Sequence, residues 1–334
     1  MEVYTKTVQL HNGFIGELFG KFDENMKKIE NTLSVQVVNR GEDVVINGTK
    51  ASVIKAEAVI VKLVKVLEKG ERISEQMVSY VLASSADENF DDIEKMNDET
   101  ICMTISGRPI KPKTLGQKAY FGLMKSNVVT FCIGPAGTGK TYLAMAMAIT
   151  AFKKNEVSRI ILTRPVIEAG EKLGFLPGDL QQKVDPYLRP LYDALYEIMG
   201  AETFQRNMEK GAIEVAPLAY MRGRTLDNAY IVLDEAQNTT REQMKMFLTR
   251  IGFGSKTIIT GDLTQIDLPE GKGSGLTEAV AILNNIEGIA ISRLTNRDIV
   301  RHPLVQQIVN AYEKNEAKNK DSVKKVTRYY GKKR

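Results

Sequence analysis

Gly134-Pro135-Ala136-Gly137-Thr138-Gly139-Lys140-Thr141 is the stretch that decides the fold. It matches the pattern G-x-x-x-x-G-K-[ST] in full. An apolar run, Val128-Val129-Thr130-Phe131-Cys132-Ile133, leads into it, and a segment of helical character from Lys140 to Phe152 leads out. Strand, glycine loop and helix in that order form a phosphate cradle. The glycines let backbone N–H groups converge on phosphate oxygens, and the helix N-terminus adds partial positive charge. Lys140 is expected to bridge the outer phosphates of ATP, and the Thr141 hydroxyl to ligate Mg. Cys132, inside the strand, reads as an inert buried thiol.

Two further strands end in polar groups. Tyr230-Ile231-Val232-Leu233 delivers Asp234-Glu235-Ala236-Gln237-Asn238 at its C-terminal end. Asp234 is expected to hold the metal and Glu235 to polarise an attacking water. A kinase of this fold needs no such second carboxylate, so hydrolysis is favoured. Thr257-Ile258-Ile259-Thr260 runs into Gly261-Asp262-Leu263-Thr264-Gln265. That turn resembles motif III of superfamily 1 helicases, in which the glutamine, here Gln265, senses the γ-phosphate. Gln117, seventeen positions before Gly134, resembles the glutamine that recognises adenine in Q-motif proteins.

Outward from this site, the chain reads as soluble and globular. It has 334 residues, 43% hydrophobic and 26% charged, which excludes wholesale disorder. No apolar stretch is long enough to span a membrane, and the N-terminus shows no secretory pattern. Two cysteines and two histidines exclude a disulfide framework, argue against a zinc site and favour a reducing cytoplasm. The net charge of +5 is concentrated at one end: Glu313 to Arg334 holds nine basic and three acidic residues. Basic tails of this kind either contact nucleic acid or are solvated segments that keep a protein soluble.

The periodicities divide the chain into a small α+β domain over 1–84, an acidic linker and basic Pro-containing segment over 85–113, an α/β domain over 114–312 and the basic tail over 313–334. Residues 1–84 read as a βααββα unit, with a capping Ser74 before one more helix. Leu18-Phe19-Gly20-Lys21-Phe22-Asp23-Glu24-Asn25 resembles the helix–loop–helix of KH RNA-binding domains, whose Gly-x-x-Gly loop admits the RNA backbone. Asp23 stands at the second glycine position, where its carboxylate opposes phosphate.

Taken together, Gly134–Thr141, Arg164-Pro165, Asp234–Thr240, Gly252-Phe253-Gly254-Ser255-Lys256, Thr260–Leu268 and Arg297–Pro303 resemble the PhoH-like ATPases. The resemblance implies a RecA-like parallel sheet flanked by helices and preceded by a KH-like domain. It further implies cytoplasmic ATP binding and hydrolysis, a role in RNA metabolism, and a partner ribonuclease such as YbeY. Some relatives carry a PIN nuclease domain; residues 1–84 lack a set of metal-binding carboxylates, so that activity is not expected.

A single P-loop, with roughly 220 residues after the linker, leaves no second helicase lobe. Arginine at the γ-phosphate is worth about 10³–10⁵ in rate, so a homo-oligomer, such as a ring in which a neighbour donates it, is expected. Arg301 ranks first, followed by Arg297, Arg222 and Arg224. Arg164, at the ligand-binding edge of the sheet, is a candidate phosphate contact. Two functions remain: an RNA-remodelling ATPase, and an ATP-gated oligomeric adaptor that presents a partner ribonuclease without unwinding.

Overall fold

The structure, a computed structural model, describes residues 3–68, 70, 72–85, 99–165, 180–269, 271–300, 304–305, 308–309 and 311–312. The acidic run 86–98, the insert 166–179, Arg301 and the basic tail lie outside the described residues. By packing, Met1–Ile299 forms one unit and Val300–Arg334 a second.

The N-terminal part runs β1 (Tyr4–Gln9), α1 (Ile15–Phe19), α2 (Glu24–Leu33), β2 (Gln36–Arg40), β3 (Asp43–Gly48), α3 (Lys50–Glu68) and α4 (Glu75–Ser84). Its three strands are antiparallel in the order β1-β3-β2. Alternation decides which side is buried: Val44 and Ile46 of β3 meet Val53, Ala56, Ile60 and Leu63 of α3. Ser74 caps α4 by accepting from Met77 N at 3.2 Å. Between α1 and α2, Gly20 takes φ +74°, and a Cβ there would strike Asn25. The buried Asn25 amide is held against Leu18 O (3.1 Å), which closes α1. Phe22 and Asp23, neither of them glycine, also take left-handed backbone at φ +53° and +60°.

Residues 99–113 are not a free connector in the described part. Strands β4 (Cys102–Met103) and β5 (Pro109–Ile110) pair as a small hairpin, and Ile101 and Ile110 are buried in the core of the larger domain. Helix α5 (Leu115–Ser126) follows, capped by Thr114, which accepts from Gln117 N at 3.1 Å. The Thr114 hydroxyl itself donates to the buried Asp298 carboxylate at 2.5 Å. Leu115 N donates to Tyr80 Oη (2.8 Å), so α4 sits on the start of α5.

The larger part continues with β6 (Val129–Ile133), α6 (Lys140–Lys153), β7 (Arg159–Arg164), α7 (Leu180–Met199), α8 (Ala201–Glu209), β8 (Ile213–Pro217), β9 (Ala229–Leu233), α9 (Arg241–Leu248), β10 (Lys256–Gly261), α10 (Gly275–Ile282) and β11 (Ile289–Arg293). Six parallel strands lie in the order β11-β6-β10-β9-β7-β8. Helices cover both faces, so β6 and β9 are buried along their whole length, as unbroken apolar runs require in a parallel sheet. On one face Leu143, Met145 and Ile149 of α6, with Leu188, Leu191 and Leu195 of α7, pack on Ile160, Leu162, Tyr230 and Val232. On the other, Met244 and Phe247 of α9 and Leu276 of α10 pack on Phe131, Ile161, Ile231 and Ile259. Each such side chain contributes about 1.5–3 kcal/mol on burial. This is the RecA-like parallel sheet flanked by helices, preceded by a small α+β region.

Candidate functional site: the C-terminal edge of the sheet

The loop Gly134–Gly139 joins the end of β6 to the start of α6, at the edge where open α/β sheets bind ligands. Gly134 N donates to Gly261 O at the end of β10 (3.1 Å). A Cβ on Gly134 would collide with the Leu294 backbone, so only glycine fits there. Gly137 and Gly139 take φ +84° and +76°, conformations that glycine adopts without a steric penalty. Thr138 is buried and donates to Pro135 O at 2.8 Å, which closes the loop on itself. Pro135 and Ala136 form the partly exposed outer turn.

Lys140 is 9% exposed. Its ammonium donates to Gly134 O (2.6 Å) and Pro135 O (2.8 Å) and lies 3.5 Å from Thr138 Oγ1. Burial pushes this group below the ordinary lysine value, against the pull of Asp262, Glu235 and Asp234. Those carboxylates act at a distance: no described acidic residue forms an ion pair with Lys140. The cation therefore rests on neutral carbonyls, without a counter-anion in direct contact among the described residues.

Thr141, one residue on, donates to Asp234 Oδ1 at 2.6 Å. Thr260, at the end of β10, donates to the same oxygen at 2.7 Å. Asp234 thus stands between two hydroxyls at the end of β9 and is 6% exposed. Glu235 follows with φ +51°, a left-handed backbone that costs a non-glycine residue about 1–3 kcal/mol. Its carboxylate is held at both ends: Arg164 Nη2 lies 3.3 Å from Oε1, and Gln237 Nε2 donates to Oε2 at 2.5 Å. Arg164 also donates to Tyr187 O (3.0 Å). The Gln237 amide oxygen accepts from Asp262 N at 3.0 Å. Asp262 Oδ1 in turn accepts from Thr264 N and Oγ1, and Gln265 N donates to Asp262 O at 3.1 Å.

The edge therefore gathers Gly134–Thr141, Asp234, Glu235 and the Gln265 turn. Gln117 reaches it by another route than the sequence suggests. Its buried amide donates to Thr138 O (3.0 Å) and accepts from Lys113 N (2.7 Å), so both ends are bonded to backbone and the side chain braces the loop. The Gln265 side chain is exposed. Of the other arginines, Arg224 is a two-pronged partner of Glu214, at 2.6 and 2.7 Å, which ties it within its own chain; Arg222 is exposed. Arg301 lies outside the described residues. Sequence reasoning passed over Thr260 and Gln237. Thr260 had a signal, a hydroxyl ending the apolar Ile258-Ile259 run. Gln237 had only its place in the Asp-Glu-Ala-Gln quartet.

A family profile described as PhoH-like protein matches residues 109–313. A "PhoH-like protein" of Bacillus subtilis is 52% identical over 297 residues, 89% of this chain and 93% of that one. A "PhoH-like protein" of Mycobacterium tuberculosis is 53% identical over 302 residues, 90% and 85% of the two chains. Among solved structures, a Sulfolobus solfataricus SWI2/SNF2 ATPase core in complex with dsDNA covers 54% of this chain and 43% of its own, with 16% identity and a TM-score of 0.33. That likeness is too remote to add to the fold described above. Among the described residues, no helix is long and apolar enough to cross a membrane. Half the residues shared along nearly the full length of both chains, with the profile spanning the phosphate loop and both carboxylate strands, leave one conclusion: this chain belongs to the PhoH-like protein family.

Proposed function

We propose that this protein binds ATP with Mg and hydrolyses it, and that turnover serves work on RNA in the cytoplasm. The observation that carries the reading is Lys140, a buried cation resting on neutral loop carbonyls, with no described carboxylate paired to it. A polyphosphate is the anion whose charge and position fit. Hard oxygen donors beside it, Thr141 Oγ1 and Asp234 Oδ1 at 2.6 Å, fit Mg. Bound Mg would neutralise charge developing on the phosphate oxygens. Lys140 turns from its carbonyls to the β/γ oxygens, the loop N–H groups orient the phosphate chain, and Glu235 orients the attacking water and draws on its proton. Gln265, exposed in the neighbouring turn, is the sensor of the terminal phosphate.

RNA is supported by the βααββα order with antiparallel β1-β3-β2 pairing, which suits a KH-like domain, and by the basic tail of the sequence. The carboxylate of Asp23 at the loop tip favours the other reading, an ATP-gated oligomeric adaptor that presents a ribonuclease. ATP turnover measured with and without a single-stranded oligouridylate separates them. Stimulation by RNA, abolished with ATP binding in Lys140→Ala, is the expected result. Turnover indifferent to RNA moves the assignment to the adaptor, and nucleotide affinity unchanged in Lys140→Ala removes the phosphate-loop reading.

A further inference from the structure

Gln237 occupies an unusual position between two functional strand ends. One face of its amide, Nε2, donates to Glu235 Oε2 at 2.5 Å; the other, Oε1, accepts from Asp262 N at 3.0 Å. The residue is 1% exposed, lies in the short 3₁₀ turn Ala236–Asn238, and packs against Gly261, where a Cβ would meet its amide oxygen and backbone. Its orientation is therefore over-determined: rotating the amide by a half-turn sets Nε2 against the Asp262 N–H and Oε1 against the Glu235 carboxylate, and both contacts become repulsive. Charged groups around Glu235 come from three other directions, Arg164 at the end of β7, Lys140 at the start of α6, and Asp234 and Asp262 at the ends of β9 and β10. Gln237, uncharged, bonds both to the Glu235 carboxylate and to the backbone of the turn that carries Gln265.

We propose that Gln237 is a positioning residue that sets the Glu235 carboxylate and ties it to the Asp262–Gln265 turn, so that a displacement of that turn by the terminal phosphate moves the carboxylate. This rests on the ATPase reading of the same site. Occupancy at Gln265 shifts the turn, Asp262 N carries the shift to Gln237 Oε1, and the rigid amide passes it to Glu235 Oε2. A displacement of about 1 Å at a catalytic group costs on the order of 10²-fold in rate, which is enough to make the carboxylate competent only when the terminal phosphate is present.

Gln237→Glu dissects the two bonds, because it keeps an oxygen for Asp262 N and replaces only the donor that faces Glu235. In this variant kcat is expected to fall about 10²-fold with the dissociation constant of a non-hydrolysable ATP analogue within threefold of wild type. Gln237→Ala, which severs both bonds, is expected to remove most of the further loss caused by Gln265→Ala, since the two then act through one broken link. A purely structural glutamine would lower the urea midpoint and leave kcat and this coupling unmoved; that outcome overturns the proposal, as does kcat within threefold of wild type in Gln237→Glu. The contact is tested without turnover by the exchanged pair Glu235→Gln with Gln237→Glu, which restores an amide facing a carboxylate. Its urea midpoint is expected to exceed that of Gln237→Glu alone, and a midpoint equal to or below it overturns the contact. A wild-type chain with no ATP turnover would count against the ATPase reading, while the exchanged pair still decides the contact.

Discussion

Glu235 combines a strained backbone with a carboxylate gripped on both oxygens, by Arg164 and by Gln237. Strain of that kind persists only where surrounding bonds over-determine it. Replacing the carboxylate by an amide of the same shape, Glu235→Gln, keeps Asp234 for the metal and removes the group that orients water. Turnover is expected to fall about 10²–10⁴-fold while calorimetric ATP affinity stays within a few fold; full-rate hydrolysis with normal binding would remove Glu235 from the chemistry. At this scale type and spacing were informative about placement: Lys140 and Thr141 open α6 beside Asp234, and Thr141 donates to it. It was silent where a role is a hydrogen bond across the fold. Gln237 and Asp262 are 25 positions apart, and no local pattern announces that they meet. Gln117 shows the converse: its position relative to the loop is as expected, yet its amide is bonded to Lys113 N and Thr138 O.

The elements were legible because their boundaries are local chemistry. Thr114 and Ser74 cap the helices they precede, and Leu188, Leu191, Leu195 and Met199, three or four positions apart, form one buried face of α7. The basic Pro-containing segment after the acidic linker gave no sign of its packing, because two two-residue strands, one of them starting at Pro109, show no periodicity, yet Ile101 and Ile110 lie in the core. The turn between α1 and α2 is the element with most to test. Gly20 is required by its neighbour Asn25, while Phe22, 91% exposed, and Asp23 hold left-handed backbone without being glycine. Asp23→Gly relieves one strained residue and adds unfolded-state entropy, so stability is expected to change by less than about 1 kcal/mol. Removing the carboxylate lets the phosphate backbone approach, and affinity for single-stranded RNA is expected to rise several-fold in a fluorescence anisotropy titration. Unchanged affinity at equal stability would take RNA away from this turn.

For the whole molecule, the arginine pairings matter most. Arg164 is engaged with Glu235 and Arg224 with Glu214, so charge for the terminal phosphate is expected from a neighbouring copy, with Arg301 as the donor. ATPase activity per chain should then rise with protein concentration. Mixing Glu235→Gln with Arg301→Ala, each inactive alone, should restore part of the activity, because some interfaces pair an intact Glu235 with an intact Arg301. No recovery, together with a competent monomer in sedimentation, would retire the model. Recovery with Arg222→Ala in place of Arg301→Ala would keep the model and reassign the donor.

One oxygen, Asp234 Oδ1, receives hydroxyls from residues 93 positions before it and 26 positions after it. On the ribosome, a chain synthesised as far as Asp234 already carries the whole phosphate-loop motif. It lacks β10, and with it Thr260 and the Gly261 carbonyl that anchors Gly134. The candidate site is therefore complete only when β10 lies in the middle of the sheet, between β6 and β9, two strands that precede it in the sequence. A ligand that binds only the finished edge stabilises the folded chain by mass action, so on the proposed reading nucleotide protects the insertion of that central strand as well as the loop it touches.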